Sequence, residues 1–135
     1  MIDNNCIFCK IANGEIPAYT VYEDDTFRAI LDAAPANEGH TLIIPKEHYE
    51  NLFAIPDAVA ENVMKIAKNI ATLQKERLHC DGVNILQNNG AAAGQTVMHY
   101  HLHVIPRREG DGHLVPWTPL QRTNEEQETT LEKLK

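Results

Sequence analysis

Apolar and polar positions change period twice along this chain, and each change marks an element. "YTVYEDD" (19–25) and "TFRAILD" (26–32) follow the short period of strands and meet at Asp24-Asp25, which predicts a β-hairpin. "HTLIIP" (40–45) predicts a third strand, entered through Glu38-Gly39 and closed by Pro45. From Pro56 to about His79 the period lengthens: Val59, Val63, Ile66, Ile70 and Leu73 recur at spacings of four and three, with Lys65, Lys68 and Asn69 between them. This predicts one long amphipathic helix, packed on the core or on a second copy. "DGVNILQN" (81–88) predicts a fourth strand, "NGAAAGQ" (89–95) a glycine-bearing loop, and "VMHYHLHVIP" (97–106) a fifth strand in hairpin with the fourth. Ahead of all these, "CIFCKIANGEIPA" carries a turn at Asn13-Gly14. Strands, a helix and then more strands, with no regular βαβ alternation, imply an α+β fold with an antiparallel sheet. The tail "TNEEQETTLEKLK" is charged and weakly helical, with Leu131 and Leu134 as its only large apolar residues; it fits a docked terminal helix as well as a frayed one.

The fifth predicted strand carries unusual chemistry. Period two places His99, His101 and His103 on one face and Tyr100, Leu102 and Val104 on the other. The second face is ordinary core, whereas imidazoles cost more to bury than valines do. At about 3.3 Å per residue, neighbouring histidines on a regular strand stand roughly 7 Å apart and the outer pair about 13 Å apart. Zinc–nitrogen bonds are about 2 Å long, so an adjacent pair could share an ion but the three together could not. The three histidines must divide their work.

Composition narrows the partners. The 135 residues make one domain able to bury its own core, and 43% hydrophobic content with seven glycines and seven prolines is globular. A formal charge of −7 excludes a broad nucleic-acid or acidic-membrane surface, though a small anionic ligand could be held by a local cluster of donors. No apolar run approaches the ~18 residues of a membrane span, and "MIDNNCIFCK" lacks a secretory layout, so a cytoplasmic location is expected. Cys6 and Cys9 form a C-x-x-C pair, which reads as a zinc half-site or a redox pair, although no thioredoxin-like βαβ pattern surrounds it; Cys80 is an isolated thiol. No P-loop motif is present. In its place "AGQT" offers Gly94, where backbone can approach a phosphate closely, and the Thr96 hydroxyl; by itself the loop "NNGAAAG" reads more readily as a plain hairpin loop, and its place beside the triad reverses that. Asp32 closes a strand, a position common for turn or cap residues, and His40, His79 and His113 read as surface or capping residues.

The run His99-Tyr100-His101-Leu102-His103-Val104-Ile105 matches His-φ-His-φ-His-φ-φ, with φ apolar. With "CIFCKIANGEIPAYTVYED", "GHTLIIPKEH" and "NNGAAAGQTVMHYHLHVIPR", it identifies the chain as a member of the histidine-triad (HIT) superfamily of nucleotide hydrolases and transferases. The resemblance runs from roughly residue 4 to 113, dividing the chain into a HIT domain (1–118) and a charged tail (119–135). It implies a five-stranded antiparallel sheet with one long helix and a shorter terminal helix, paired into a homodimer. It makes His101 the nucleophile toward phosphorus, through a covalent nucleotidyl-histidine, and gives His103 the phosphate or the leaving group. It surrounds the nucleotide with Ile30, Asp32, Asn88, Gly94, Gln95 and Thr96 beside the two histidines. Asp32 would take the ribose hydroxyls, and Ile30 would line the base pocket where relatives often carry an aromatic ring.

For the metal, the resemblance implies that His48 and His99 complete a Cys₂His₂ zinc site with Cys6 and Cys9, closed and therefore structural, with no Mg²⁺ required at the phosphates. The N-terminal segments are similar to the zinc-containing nucleotide-binding branch, whose members hydrolyse purine nucleoside phosphoramidates of the adenylyl-amine type. "GQTV" with "HVIPRREGD" also resembles diadenosine-polyphosphate hydrolases. A non-catalytic nucleotide-binding regulator is the reading from another class, and the intact triad and "GQT" weigh against it. The expected partners are a purine nucleotide and a second copy, with no nucleic acid and no membrane. Trp117 is assigned to the core or to a partner subunit's pocket.

Overall fold

A computed structural model describes residues 1–112 and 118–135; His113 and Trp117 lie outside the described residues. The elements are α1 (Ile7–Ala12), β1 (Thr20–Glu23), β2 (Phe27–Leu31), β3 (Thr41–Pro45), α2 (Asp57–Leu78), β4 (Gly82–Leu86), β5 (Leu102–Arg107) and α3 (Asn124–Leu134). The strands form one sheet in the order β1-β2-β3-β5-β4, with every neighbouring pair antiparallel. The expected α+β class and five-stranded sheet are therefore what the chain builds.

Helix α2 covers one face of the sheet. Its Val59, Val63, Ile66, Ala67 and Ile70 pack with Phe27, Ala29, Ile43, Tyr100, Leu102 and Val104 in the larger core. Pro56 precedes the helix and His79 ends it in the left-handed conformation at φ 54°, so His79 is a capping residue as expected. Leu73 departs from the predicted stripe and is 40% exposed. Gln74 is buried in its stead, and its amide donates to the carbonyls of Gly39 and Val104, both at 3.1 Å. Gly39 itself has φ 89°, and a Cβ there would run into the Leu78 side chain, so the turn into β3 requires glycine.

The other face carries α1, absent from the sequence-based reading because six residues are too few to show a helical period. Cys6 caps α1 through its sulfur, which accepts from the Cys9 amide at 3.4 Å. Phe8, Ile11 and Ala12 then pack on Ile30, Leu42 and Ile44.

The predicted fifth strand requires a correction. Ladder pairing begins only at Leu102: the pairing with β3 ends at Ile43 opposite Leu102, although β3 itself runs on to Pro45 beside β2, and β4 ends with Leu86 opposite His103. Residues 97–101 lie outside the sheet, held by contacts such as the Tyr100 amide donating to the Tyr49 carbonyl at 2.6 Å. Alternation nevertheless persists: Tyr100, Leu102 and Val104 enter the larger core, while the histidines point the other way. The tail forms α3, opened by a capping box between Thr123 and Glu126, with no buried residue. Among the described residues no helix is long and apolar enough to cross a membrane.

Candidate functional site

Freed from the regular strand, the three histidines part company. His99 is fully buried and turns toward Cys6 and Cys9: its Nδ1 lies 3.3 Å from Cys6 Sγ and 3.4 Å from Cys9 Sγ, and His48 Nδ1 lies 3.5 Å from Cys9 Sγ. The four ligand atoms all lie within 4.8 Å of one another. A tetrahedral zinc with sulfur at 2.3 Å and nitrogen near 2.0 Å separates S and N by about 3.5 Å, so the donor set fits that ion. The tautomer fits too. His99 Nε2 donates to the Pro45 carbonyl at 2.9 Å, an oxygen that can only accept, which leaves the Nδ1 lone pair facing the sulfurs. Burial holds this imidazole neutral by pushing its pKa down to about 4, and burial also pushes the Cys9 thiol up. A bound cation would favour both thiolates.

His101 is 7% exposed, and its Nδ1 donates to the His99 carbonyl at 2.7 Å. Because a carbonyl cannot donate, Nδ1 carries a proton, and in the neutral tautomer this leaves the lone pair on Nε2. Phe8 of α1 braces the ring edge-on, with centroids 4.9 Å apart and planes at 87°. Phe8 sits between the two cysteines in sequence, so the element that brings both sulfurs to the Cys/His cluster also steadies this imidazole.

His103 faces His40, which corrects the expectation that His40 is a surface or capping residue. His40 is 6% exposed; its Nδ1 accepts from the Ala36 amide at 2.9 Å and its Nε2 lies 2.9 Å from His103 Nδ1. A neutral His40 that accepts at Nδ1 must carry its proton on Nε2, so it donates to His103, whose own proton is then on Nε2. Burial and the neighbouring imidazoles push the His103 pKa down to about 4, which keeps it neutral. Asp32 Oδ2 stands 3.5 Å from His40 Nε2, and Asp32, His40 and His103 form a second close group. Protonated Nε2 cannot ligate, so this arrangement suits a proton network better than a metal. A signal for His40 did exist in "HTLIIP", since alternation puts it on the face of Leu42, the residue opposite His103.

A cavity of about 1110 Å³ lies before these histidines, lined by His101, His103, Thr96, Asp32, Ile30 and an apolar wall from α1. Of the expected loop residues, Thr96 lines this cavity. Gln95 is 3% exposed and spent on the loop itself, accepting from the Gly90 amide at 2.7 Å and donating to the Glu50 and Val97 carbonyls at 2.6 and 3.1 Å. Asn88 donates to the Gly94 carbonyl at 3.5 Å, and Gly94 has φ 96°, a conformation suited to glycine. Asp32 accepts from the Ala34 amide at 2.9 Å, and Cys80 is a half-buried free thiol.

The family model of the HIT domain matches residues 13–110. An uncharacterised HIT-like protein of Methanocaldococcus jannaschii is 54% identical over 111 residues, covering 82% of this chain and 84% of its own. An adenosine 5'-monophosphoramidase of Saccharomyces cerevisiae is 44% identical over 123 residues, covering 91% and 75%. Among solved structures, a HIT family protein from Bacillus anthracis superimposes with a TM-score of 0.90 at 41% identity, over 97% of this chain and 95% of its own. A Zn-bound histidine triad family protein from Mycobacterium smegmatis does so with a TM-score of 0.78 at 39% identity, over 97% and 98%.

Proposed function

The chain belongs to the HIT domain family, and on that premise we propose that it hydrolyses purine nucleoside phosphoramidates at the α-phosphate through a covalent nucleotidyl-His101. The observation that carries this reading is the tautomer of His101. With Nδ1–H held by the His99 carbonyl at 2.7 Å, the Nε2 lone pair is available at the cavity without any group having to remove a proton first. Nε2 attacks phosphorus, a histidine P–N bond forms, and the substrate's P–N bond breaks with its electron pair leaving on the amine, which takes a proton from solvent that the later hydrolysis returns. Water then cleaves the nucleotidyl-histidine and restores the free imidazole. The neutral His103 Nε2–H and the Thr96 hydroxyl are the donors for the charge that builds on the phosphoryl oxygens.

These donors do the work that Mg²⁺ does in P-loop enzymes, so turnover needs no added divalent ion. Cys6, Cys9, His48 and His99 would hold zinc as a closed crosslink with no position for substrate. The yeast phosphoramidase supports the reaction class, and the Zn-bound mycobacterial relative supports the metal. Asp32 is the candidate ribose ligand, the domain is taken as residues 1–118, and two chains are taken to pair.

A panel of kcat/KM values settles the substrate class, measured in EDTA without added metal for adenosine and guanosine phosphoramidates and for diadenosine polyphosphates. The phosphoramidates are expected to lead, with labelled nucleotide trapped on the wild-type protein and none on His101→Ala, whose turnover falls at least about 10⁴-fold. A lead for the dinucleotides would move the protein to the polyphosphate hydrolases. Single-turnover conversion without recycling would mark it as a binder.

A further inference from the structure

We propose that Tyr19 supplies the aromatic surface on which the nucleobase stacks, a role that rests on the nucleotide reading above and assigns the base end of the cavity. Besides the two imidazoles, Phe8 and Tyr19 are the aromatic rings that line the cavity among the described residues. Phe8 is already engaged, half-buried and edge-on to His101 at 4.9 Å. Tyr19 is 81% exposed, and among the described residues its ring meets no other ring and its hydroxyl makes no hydrogen bond. A large aromatic face exposed at the mouth of an apolar cavity is a surface that a planar ligand would cover.

Register places Tyr19 at the right distance from the chemistry. His103 lies opposite Leu42, Leu42 opposite Ile30, and Ile30 opposite Thr20, so one row of positions crosses the sheet from the catalytic histidine to the residue beside Tyr19. Three strand spacings make about 14 Å, comparable to an extended nucleoside monophosphate with its phosphate at the histidines. Tyr19 is anchored where the row ends, its carbonyl accepting from the Leu31 amide at 2.9 Å, one residue before Asp32. A ribose at Asp32 would therefore direct its base toward this edge. Ile30, in the middle of the row, is aliphatic and 4% exposed, so it can form a floor but offers no ring. The ring comes instead from the edge strand's leading residue.

Every base has a π-face, so stacking on Tyr19 selects by area: purines over pyrimidines, with adenine and guanine alike. Calorimetric titration of AMP and of ribose 5-phosphate into wild type, Tyr19→Ala and Tyr19→Phe tests this. AMP is expected to bind Tyr19→Ala about five- to a hundredfold more weakly and Tyr19→Phe within about twofold of wild type, with ribose 5-phosphate unchanged in all three. In turnover of an adenosine phosphoramidate the loss should appear in KM and leave kcat alone. Unchanged AMP affinity in Tyr19→Ala, an equal loss for ribose 5-phosphate, or an equal loss in Tyr19→Phe would each overturn the stacking role. Failure of the wild type itself to bind AMP would instead overturn the nucleotide reading, and this role with it.

Discussion

A single hydrogen bond decides what each histidine can do. His99 spends Nε2 on the Pro45 carbonyl and turns Nδ1 to the cysteine sulfurs; His101 spends Nδ1 on the His99 carbonyl and, in the proposed reaction, offers Nε2 to phosphorus. His103 is different, because His40 donates to its Nδ1 and leaves it an Nε2–H to give. With a pKa near 4 it carries no imidazolium proton at neutral pH, so in the proposed reaction its part is to stabilise charge on the phosphoryl group and not to protonate the amine. Removing one such donor costs about 10²–10³ in rate elsewhere, and His103→Ala is expected to lose a comparable factor. The loss should be the same for good and poor leaving groups across a series of adenosine phosphoramidates. A loss growing with leaving-group pKa would return His103 to the role of general acid.

Among the elements, α1 depends most on something other than packing. It has six residues, far below the ~12–15 that an isolated helix needs, and its fully buried side chains are Cys9 and Ala12. Its Cys6 and Cys9 meet His48 from the β3–α2 connection and His99 from the segment before β5, so a metal held there as proposed would tie three parts of the chain together. Removing the ion with a chelator strong enough to strip it should lower the melting temperature, because metal binding energy is here also folding energy. Amide exchange should rise first in residues 7–12 and least in the α2 core. His99→Ala should reproduce this with zinc lost, whereas His101→Ala should keep zinc and stability. Equal zinc loss in the two variants would refute the division of the triad.

For the whole molecule the question is which surface remains to be covered. The predicted apolar stripe of α2 is largely consumed by the core, so it cannot itself be the contact between copies. Among the apolar side chains that stay bare are Met64 and Leu73 on the outer side of α2, 52% and 40% exposed, and Ile85, 40% exposed on β4, which is an edge of the sheet. An unpaired edge beside apolar side chains invites a second copy. Sedimentation at low micromolar concentration is expected to give twice the 15.2 kDa chain mass, and Ile85→Asp to shift it toward one chain. A wild-type monomer at that concentration would rule out the pairing.

The division between sequence and tertiary structure follows from the range of the forces involved. Period two and period 3.6 are local, so β2, β3, β4 and α2 and the face alternation of residues 99–104 were all legible along the chain, whereas His79 was legible only as a surface or capping residue. The triad's spacing likewise showed that its members could not share one ion. Three things had to wait for the fold. Helix α1 is too short to display a period, and a cap sulfur and a distant cluster hold it in place. The start of β5 depends on how far its backbone pairs with β3 and β4, which no local pattern encodes. His40 becomes part of the site only because Asp32, His40 and His103, far apart in sequence, converge on one another in the low-dielectric interior. There, tautomers and proton positions answer to neighbours that folding alone brings together.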